Sequence, residues 1–157
     1  MNVDLQELIE SLQSQNVEFL VVGSVALSVH GRARYTEDID LWVRRTADNV
    51  ERLRQALIDF GLPIKPDALR DFVEKDRQMI ILGAAPQAAD LLNFLGGVEF
   101  DDAWRRKIRS NFEGLDLDFL CREDFIASKR AAGRPKDLAD LAALDDLDKR
   151  RGWRKNR

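Results

Sequence analysis

Apolar residues recur along this chain at two spacings, and the switches between them divide it into helices and strands. Leu5, Leu8, Ile9 and Leu12 fall on one face of a helix over Val3–Leu12, with glutamine and glutamate on the other. A continuous apolar run from about Glu18 to Val22 predicts a buried strand, and Gly23-Ser24 opens a short helical pattern that Gly31 ends. From Asp38 to Val43 the period is two. Asp38, Asp40 and Trp42 share one face of a strand, and Ile39, Leu41 and Val43 share the other. Val50, Leu53, Leu57 and Phe60 predict a helix over Asn49–Phe60, closed by Gly61, and a short helix is expected over Ala68–Glu74. Met79–Leu82 and Ala88–Phe94 read as a hairpin of the central sheet around Gly83–Pro86. A helix over Val98–Lys107 precedes a second hairpin, Ile108–Phe112 and Leu115–Leu120, which turns at Glu113-Gly114. Glu123–Ala131 is helical, Gly133-Arg134-Pro135 breaks it, and Pro135 suits the first turn of another helix.

Two carboxylates on one face of an otherwise apolar strand are the first sign of chemistry. Asp38 and Asp40 repel each other when both are ionised, and desolvation adds to the penalty. Mg²⁺ relieves both, because it prefers oxygen ligands and is commonly held by one or two carboxylates plus substrate phosphates. A half-exposed strand with a wet face explains the same pair. Gly23-Ser24 offers backbone N–H groups to an anion, but Ser24 as a helix N-cap is an equal explanation. Asp90, inside the later apolar strand, is a third candidate, with a solvent-facing aspartate as its plain alternative. Asp116 and Asp118 are also two apart, yet Leu115, Leu117 and Phe119 take the opposite face. An amphipathic outer strand accounts for them fully.

Near the C-terminus, Lys129 follows Phe125 and Ile126 at helical spacing and lies on the buried stripe. Either it snorkels, with a wet ammonium, or it reaches an anion. Asp137 shares a face with Leu141 and Leu144 and also points inward. His30, the single histidine, ends the short helix where the helix dipole favours a cation, and a structural role is expected of it.

Gly23-Ser24 followed by Arg34-x-Thr36-x-Asp38-Ile39-Asp40 resembles the first motif of the DNA polymerase β-like nucleotidyltransferase superfamily. Lys129-Arg130-x-x-Gly133-Arg134-x-Lys136-Asp137-x-x-Asp140 resembles the later motif of its abortive-infection toxin-type and minimal members. Together the motifs span about Phe19 to Leu144. The resemblance implies an α/β (α+β) nucleotidyltransferase fold, a small mixed β-sheet flanked by helices with a C-terminal helical portion. It implies transfer of a nucleoside monophosphate from a nucleoside triphosphate to an acceptor hydroxyl on RNA, protein or a small molecule. Asp38, Asp40 and Asp90 would hold Mg²⁺ at a two-metal site, Asp90 also serving as general base. Gly23, Ser24, Arg34 and Lys129 would contact the nucleotide, with Asp137 supporting the lysine. A toxin of a toxin–antitoxin pair is one expectation, and an antitoxin-like binding module of the same fold is the alternative.

Composition sets the bounds. At 157 residues, with 45% apolar and 34% charged side chains, the chain suits one domain: a core of about residues 16–120, C-terminal helices over about 122–150, and a basic tail over 149–157. A net charge of −3 favours no nucleic acid globally, although Lys149–Arg157 with Trp153 could touch RNA. A lone cysteine, Cys121, excludes an internal disulfide and a cysteine-based zinc site. The N-terminus lacks a signal pattern, so the expected setting is the cytoplasm, without a membrane partner. The expected partners are a triphosphate and an acceptor such as tRNA or a protein; a homodimer is left open.

Overall fold

The structure, a computed structural model, describes residues 1–30, 38–84 and 87–155. In chain order its helices are α1 (Val3–Ser14), α2 (Ala26–Val29), α3 (Ala47–Phe60), α4 (Pro66–Glu74), α5 (Phe100–Arg106), α6 (Arg122–Ala132) and α7 (Pro135–Lys155). Its strands are β1 (Phe19–Val22), β2 (Asp38–Val43), β3 (Met79–Ala84), β4 (Gln87–Leu92), β5 (Ile108–Phe112) and β6 (Leu115–Phe119). The strands form one six-stranded sheet in the order β3-β4-β2-β1-β6-β5. β1 with β6 and β2 with β4 pair parallel, while β1 with β2 and both hairpins pair antiparallel. The expected mixed sheet flanked by helices is therefore what the chain builds.

The apolar periodicities become the core. Leu5, Leu8, Ile9 and Leu12 are all buried on α1, as are Val50, Leu53, Ala56 and Leu57 on α3. All four residues of β1 are buried, and so are Ile39, Leu41, Trp42 and Val43 of β2. Local chemistry sets the helix ends. The Asn2 side chain accepts from Leu5 N at 2.8 Å to start α1, and Pro66 sits in the first turn of α4. Gly133, at φ +63, ends α6 and lets α7 fold back against it.

Some expectations shift. The first hairpin lies at one edge of the sheet, with β3 outermost. β6 is interior rather than outer, because β5 covers its far side, yet Asp116 and Asp118 still face away from the core as amphipathic alternation requires. Helix α7 runs through most of the basic tail to Lys155. Its i,i+4 pairs Lys149–Asp145 and Arg150–Asp146 supply local support. Among the described residues no helix is long and apolar enough to cross a membrane.

Two buried asparagines tie helices to strand ends, and neither stands out in the sequence. Asn49, fully buried at the start of α3, accepts from Glu18 N at 2.8 Å and donates to Glu18 O at 3.0 Å and Arg44 O at 2.8 Å. Asn93 accepts from Gln78 N at 2.8 Å and donates to Phe72 O at 2.9 Å and Lys75 O at 2.7 Å. Each amide uses donors and acceptor together, so neither aspartate nor leucine replaces it. Asn49→Ala is expected to lower stability by roughly 2–4 kcal/mol in urea unfolding, since it strands buried backbone groups of β1 and β2. A loss below about 0.5 kcal/mol, the scale of ordinary surface substitutions, would show that water replaces the amide.

Candidate active site

β1 ends at Val22, and the backbone turns at once through a 3₁₀ segment, Gly23–Val25, into the single-turn α2. Gly23 has φ +68, and a Cβ there would collide with the Asp40 carboxylate. The cause is register: Val22 pairs with Asp40 across β1 and β2, so the turn passes directly over that side chain. Only glycine leaves Asp40 its place. Ser24 is not an N-cap as one reading expected; it lies inside the 3₁₀ turn, where no side-chain cap forms.

Parallel pairing of β2 and β4 sets Asp40 opposite Asp90 and Asp38 opposite Ala88. Asp40 and Asp90 therefore sit side by side, and each perturbs the other's titration. Burial, then the Asp90 charge, pushes the Asp40 carboxyl up to about 6, against the opposing pull of Lys129 and Lys136. Asp90 is also raised, by burial and by the Asp38 charge, while its interaction with Asp40 lowers it. Both carboxyls hold a proton more readily than an isolated aspartate does. Asp38 is exposed and its Oδ1 accepts from Ala88 N at 3.2 Å.

The donor set fits a hard divalent cation at the Asp40–Asp90 pair: burial and neighbouring carboxylate charge oppose ionisation of both groups, and a cation would relieve both. Among the described residues no group of three acidic, histidine or cysteine side chains stands ready to hold a metal. Asp38 is coupled to the pair through its charge and its neighbouring register position.

Helices α6 and α7 bring cations to the opposite wall. Lys129 is 6% exposed, so it does not snorkel. Its Nζ donates to Asp137 Oδ1 at 3.2 Å and pairs with Asp140 Oδ2 at 3.0 Å. Asp137 also accepts from Arg134 Nε at 2.7 Å. Burial raises the Asp137 carboxyl, but hydrogen bonds from Arg134 and Lys129 outweigh that and hold it below its usual range. Asp137 thus holds Lys129 in place and is itself among the residues that line the cleft. A cleft of about 100 Å³ separates the walls, lined by Gly23, Ser24, Asp40, Lys129, Arg134 and Lys136 among others. Arg134, Lys136 and Asp140 were not singled out by sequence reasoning, although each lies within the Lys129–Asp140 motif. Their signal was position: they flank Asp137 on the first turns of α7.

Arg34, expected near the D-x-D strand, lies outside the described residues, as does Thr36. His30 Nε2 lies 3.2 Å from Leu120 O, and the ring meets Phe125 at 6.0 Å between centroids. Burial lowers the His30 imidazole, and these packing contacts suit the structural role expected of it. Asp118 pairs with Arg109 at 3.1 Å and Asp116 accepts from Asn111 at 3.0 Å, away from the cleft, which accounts for the second D-x-D.

Comparisons with known proteins agree on the family and the fold. A family model described as "Nucleotidyltransferase of unknown function (DUF6036)" matches residues 3–150. A crystal structure from Thermotoga maritima, of a protein provisionally described as a nucleotidyltransferase, superposes with a TM-score of 0.52 at 14% identity. That match covers 98% of this chain and 91% of the other, and it establishes a shared fold. No curated protein matches at a significant level.

The proton on Asp40 has a measurable consequence. Its folded value of about 6 exceeds the ordinary 3.8, so the native state binds that proton more tightly than the unfolded chain does. The associated stability is full below about pH 4 and is lost as pH rises through about 6, roughly 3 kcal/mol in all. Asp40→Asn cannot ionise. Without divalent cations the variant should match wild type near pH 4 and exceed it by up to about 3 kcal/mol at pH 7.5 in urea unfolding. A stability difference independent of pH would refute the raised Asp40 carboxyl.

Proposed function

The chain belongs to the family described as nucleotidyltransferases of unknown function, and from that premise we propose that it moves a nucleoside monophosphate from a nucleoside triphosphate to an acceptor hydroxyl. The observation that carries this reading is the adjacent Asp40–Asp90 pair, with Asp40, Lys129, Arg134 and Lys136 lining one cleft. Acidic and basic walls of one cleft suit a polyphosphate with its cation between them.

Asp40 and Asp90, with Asp38 beside them, would hold Mg²⁺. When bound, Mg²⁺ would supply charge neutralisation at the α-phosphate and at the leaving oxygen, with a second ion completing a two-metal site. Asp90 is the less buried of the pair and its basicity is raised, which suits a general base. It takes the proton of the acceptor hydroxyl. The acceptor oxygen then bonds to the α-phosphorus as the bond to the β-bridging oxygen breaks, and pyrophosphate leaves. Lys129 and Lys136 stabilise the charge that develops on pyrophosphate, and Gly23 and Ser24 offer backbone N–H and hydroxyl groups beside Asp40. RNA, protein and small molecules all remain acceptors to be tested.

The direct test incubates wild type with each α-labelled nucleoside triphosphate, Mg²⁺ and cell extract. A labelled product is expected, and Asp90→Asn, which removes the base, should lose it at an unchanged melting temperature. The resemblance to toxin-type enzymes adds growth arrest on expression as a second readout, lost in the same variant. Absence of any triphosphate binding by wild type would end the proposal and favour a binding module of the same fold.

The two lysines should respond differently to substitution. Lys129→Met leaves two buried aspartates short of a cation and should cost about 3–5 kcal/mol of stability. The cost follows from its contacts with Asp137 and Asp140. Lys136 is exposed, so Lys136→Met should fold normally and weaken triphosphate binding by about three- to tenfold in calorimetric titration. Unchanged affinity would remove Lys136 from the phosphate wall.

A further inference from the structure

A second cavity, of about 500 Å³, opens beside the carboxylate cleft. The two share Leu92, Leu95, Ser128, Ala132 and Arg134 as lining, so they adjoin. Its far wall is Phe94, whose ring is 41% exposed just after β4. The Arg77 guanidinium lies over that ring, 5.0 Å from its centroid. Arg77 holds φ +55, a conformation disfavoured for an arginine, so the loop before β3 positions it at a conformational cost. Asn93 fixes the same loop through Gln78 N and Lys75 O. Met79, Leu92 and Leu95 supply apolar sides, while Arg77 and Arg134 supply positive charge. Among the described residues that line it, none is acidic.

An open cavity of this size is within the range that takes a small ligand. A planar guanidinium backed by an aromatic ring is a stacking platform, and exposed aromatics of this kind bind flat heterocycles. Basic surroundings and the adjoining phosphate cleft add that the heterocycle carries phosphate. We propose that the Arg77–Phe94 platform is a nucleobase site, which holds a base while its phosphates extend past Arg134 toward Asp40. This rests on the nucleotidyltransferase reading of the cleft. The base belongs either to the donor triphosphate or to an acceptor nucleotide, and the same chemistry serves both.

The experiment measures dissociation constants, in Mg²⁺, for inorganic tripolyphosphate, for non-hydrolysable analogues of the four nucleoside triphosphates, and for short single-stranded oligonucleotides. The proteins are wild type, Phe94→Ala and Arg77→Asn; asparagine tolerates the positive φ, and Phe94 is exposed enough that both variants should keep the wild-type melting temperature. Each variant is expected to weaken at least one nucleoside triphosphate by roughly tenfold while tripolyphosphate affinity stays unchanged. A loss confined to the oligonucleotides also supports the site and assigns the base to the acceptor. Unchanged binding of every base-bearing probe overturns the proposal, and so does a wild type that binds tripolyphosphate as tightly as any nucleotide. A wild type that binds tripolyphosphate in neither form of the cleft, with or without Mg²⁺, and no nucleotide either, overturns the underlying reading and the base site with it.

Discussion

Two carboxyl groups held opposite each other by parallel strands form the constraint on which the rest of the cleft depends. Asp40 and Asp90 cannot move apart without breaking the β2–β4 register, and that register is sustained by Ile39, Leu41, Ala89 and Leu91, all buried. The sheet thus keeps two acidic groups side by side, and the cost shows in carboxyls that ionise less readily than an isolated aspartate does. Gly23 belongs to the same constraint. The β1–β2 register sends its backbone over Asp40, and any side chain there would force the carboxylate away. An aspartate pair of this kind is costly as a purely structural device, because leucine or alanine at either position would pack with less strain.

The helical wall repeats the problem with opposite sign. Lys129 is buried with Asp137 and Asp140, and Arg134 closes over Asp137 from the solvent side. The group is stable only as a unit, since removal of one member leaves its partners buried without compensation. It also fixes the α6–α7 joint, where Gly133 makes the turn and Arg134 N donates to Asp137 Oδ2 at 3.1 Å. The consequence for the cleft is positional. With Lys129 held from behind by two carboxylates, its ammonium cannot swing away from Asp40, and the distance between acidic and basic walls is set by packing.

Much of this was legible in the sequence wherever one period dominated. Alternation over Asp38–Val43 put Asp38 and Asp40 on a single face, and helical spacing on both sides of Gly133 turned Lys129 and Asp137 inward. Asp90 could be placed on a strand from its apolar neighbours, but its exact partner could not, because register is a property of two strands and no local pattern states it. Asn49 and Asn93 stayed invisible for a related reason: an amide buried for its hydrogen bonds looks like any surface asparagine until the backbone groups it satisfies are in view. The Arg77–Phe94 platform escaped for a third. It joins a loop residue before β3 to one after β4, and only the hairpin's closure brings them together.

The same reasoning explains why one D-x-D pair differs from the other. Asp116 and Asp118 have the right spacing, yet neither faces another acid: Asn111 donates to Asp116 across the hairpin, and Lys107 and Arg109 pair with Asp118. The first stays a solvated surface charge, and the second is compensated within the protein. At Asp40 the cross-strand neighbour is another acid, and the nearest cations stand across a cleft rather than in contact. Spacing alone therefore does not distinguish a site from a solvated strand face. The distinction lies in whether contacts within the protein compensate the charge, as at Asp118, or burial and neighbouring carboxylates oppose its ionisation, as at Asp40 and Asp90.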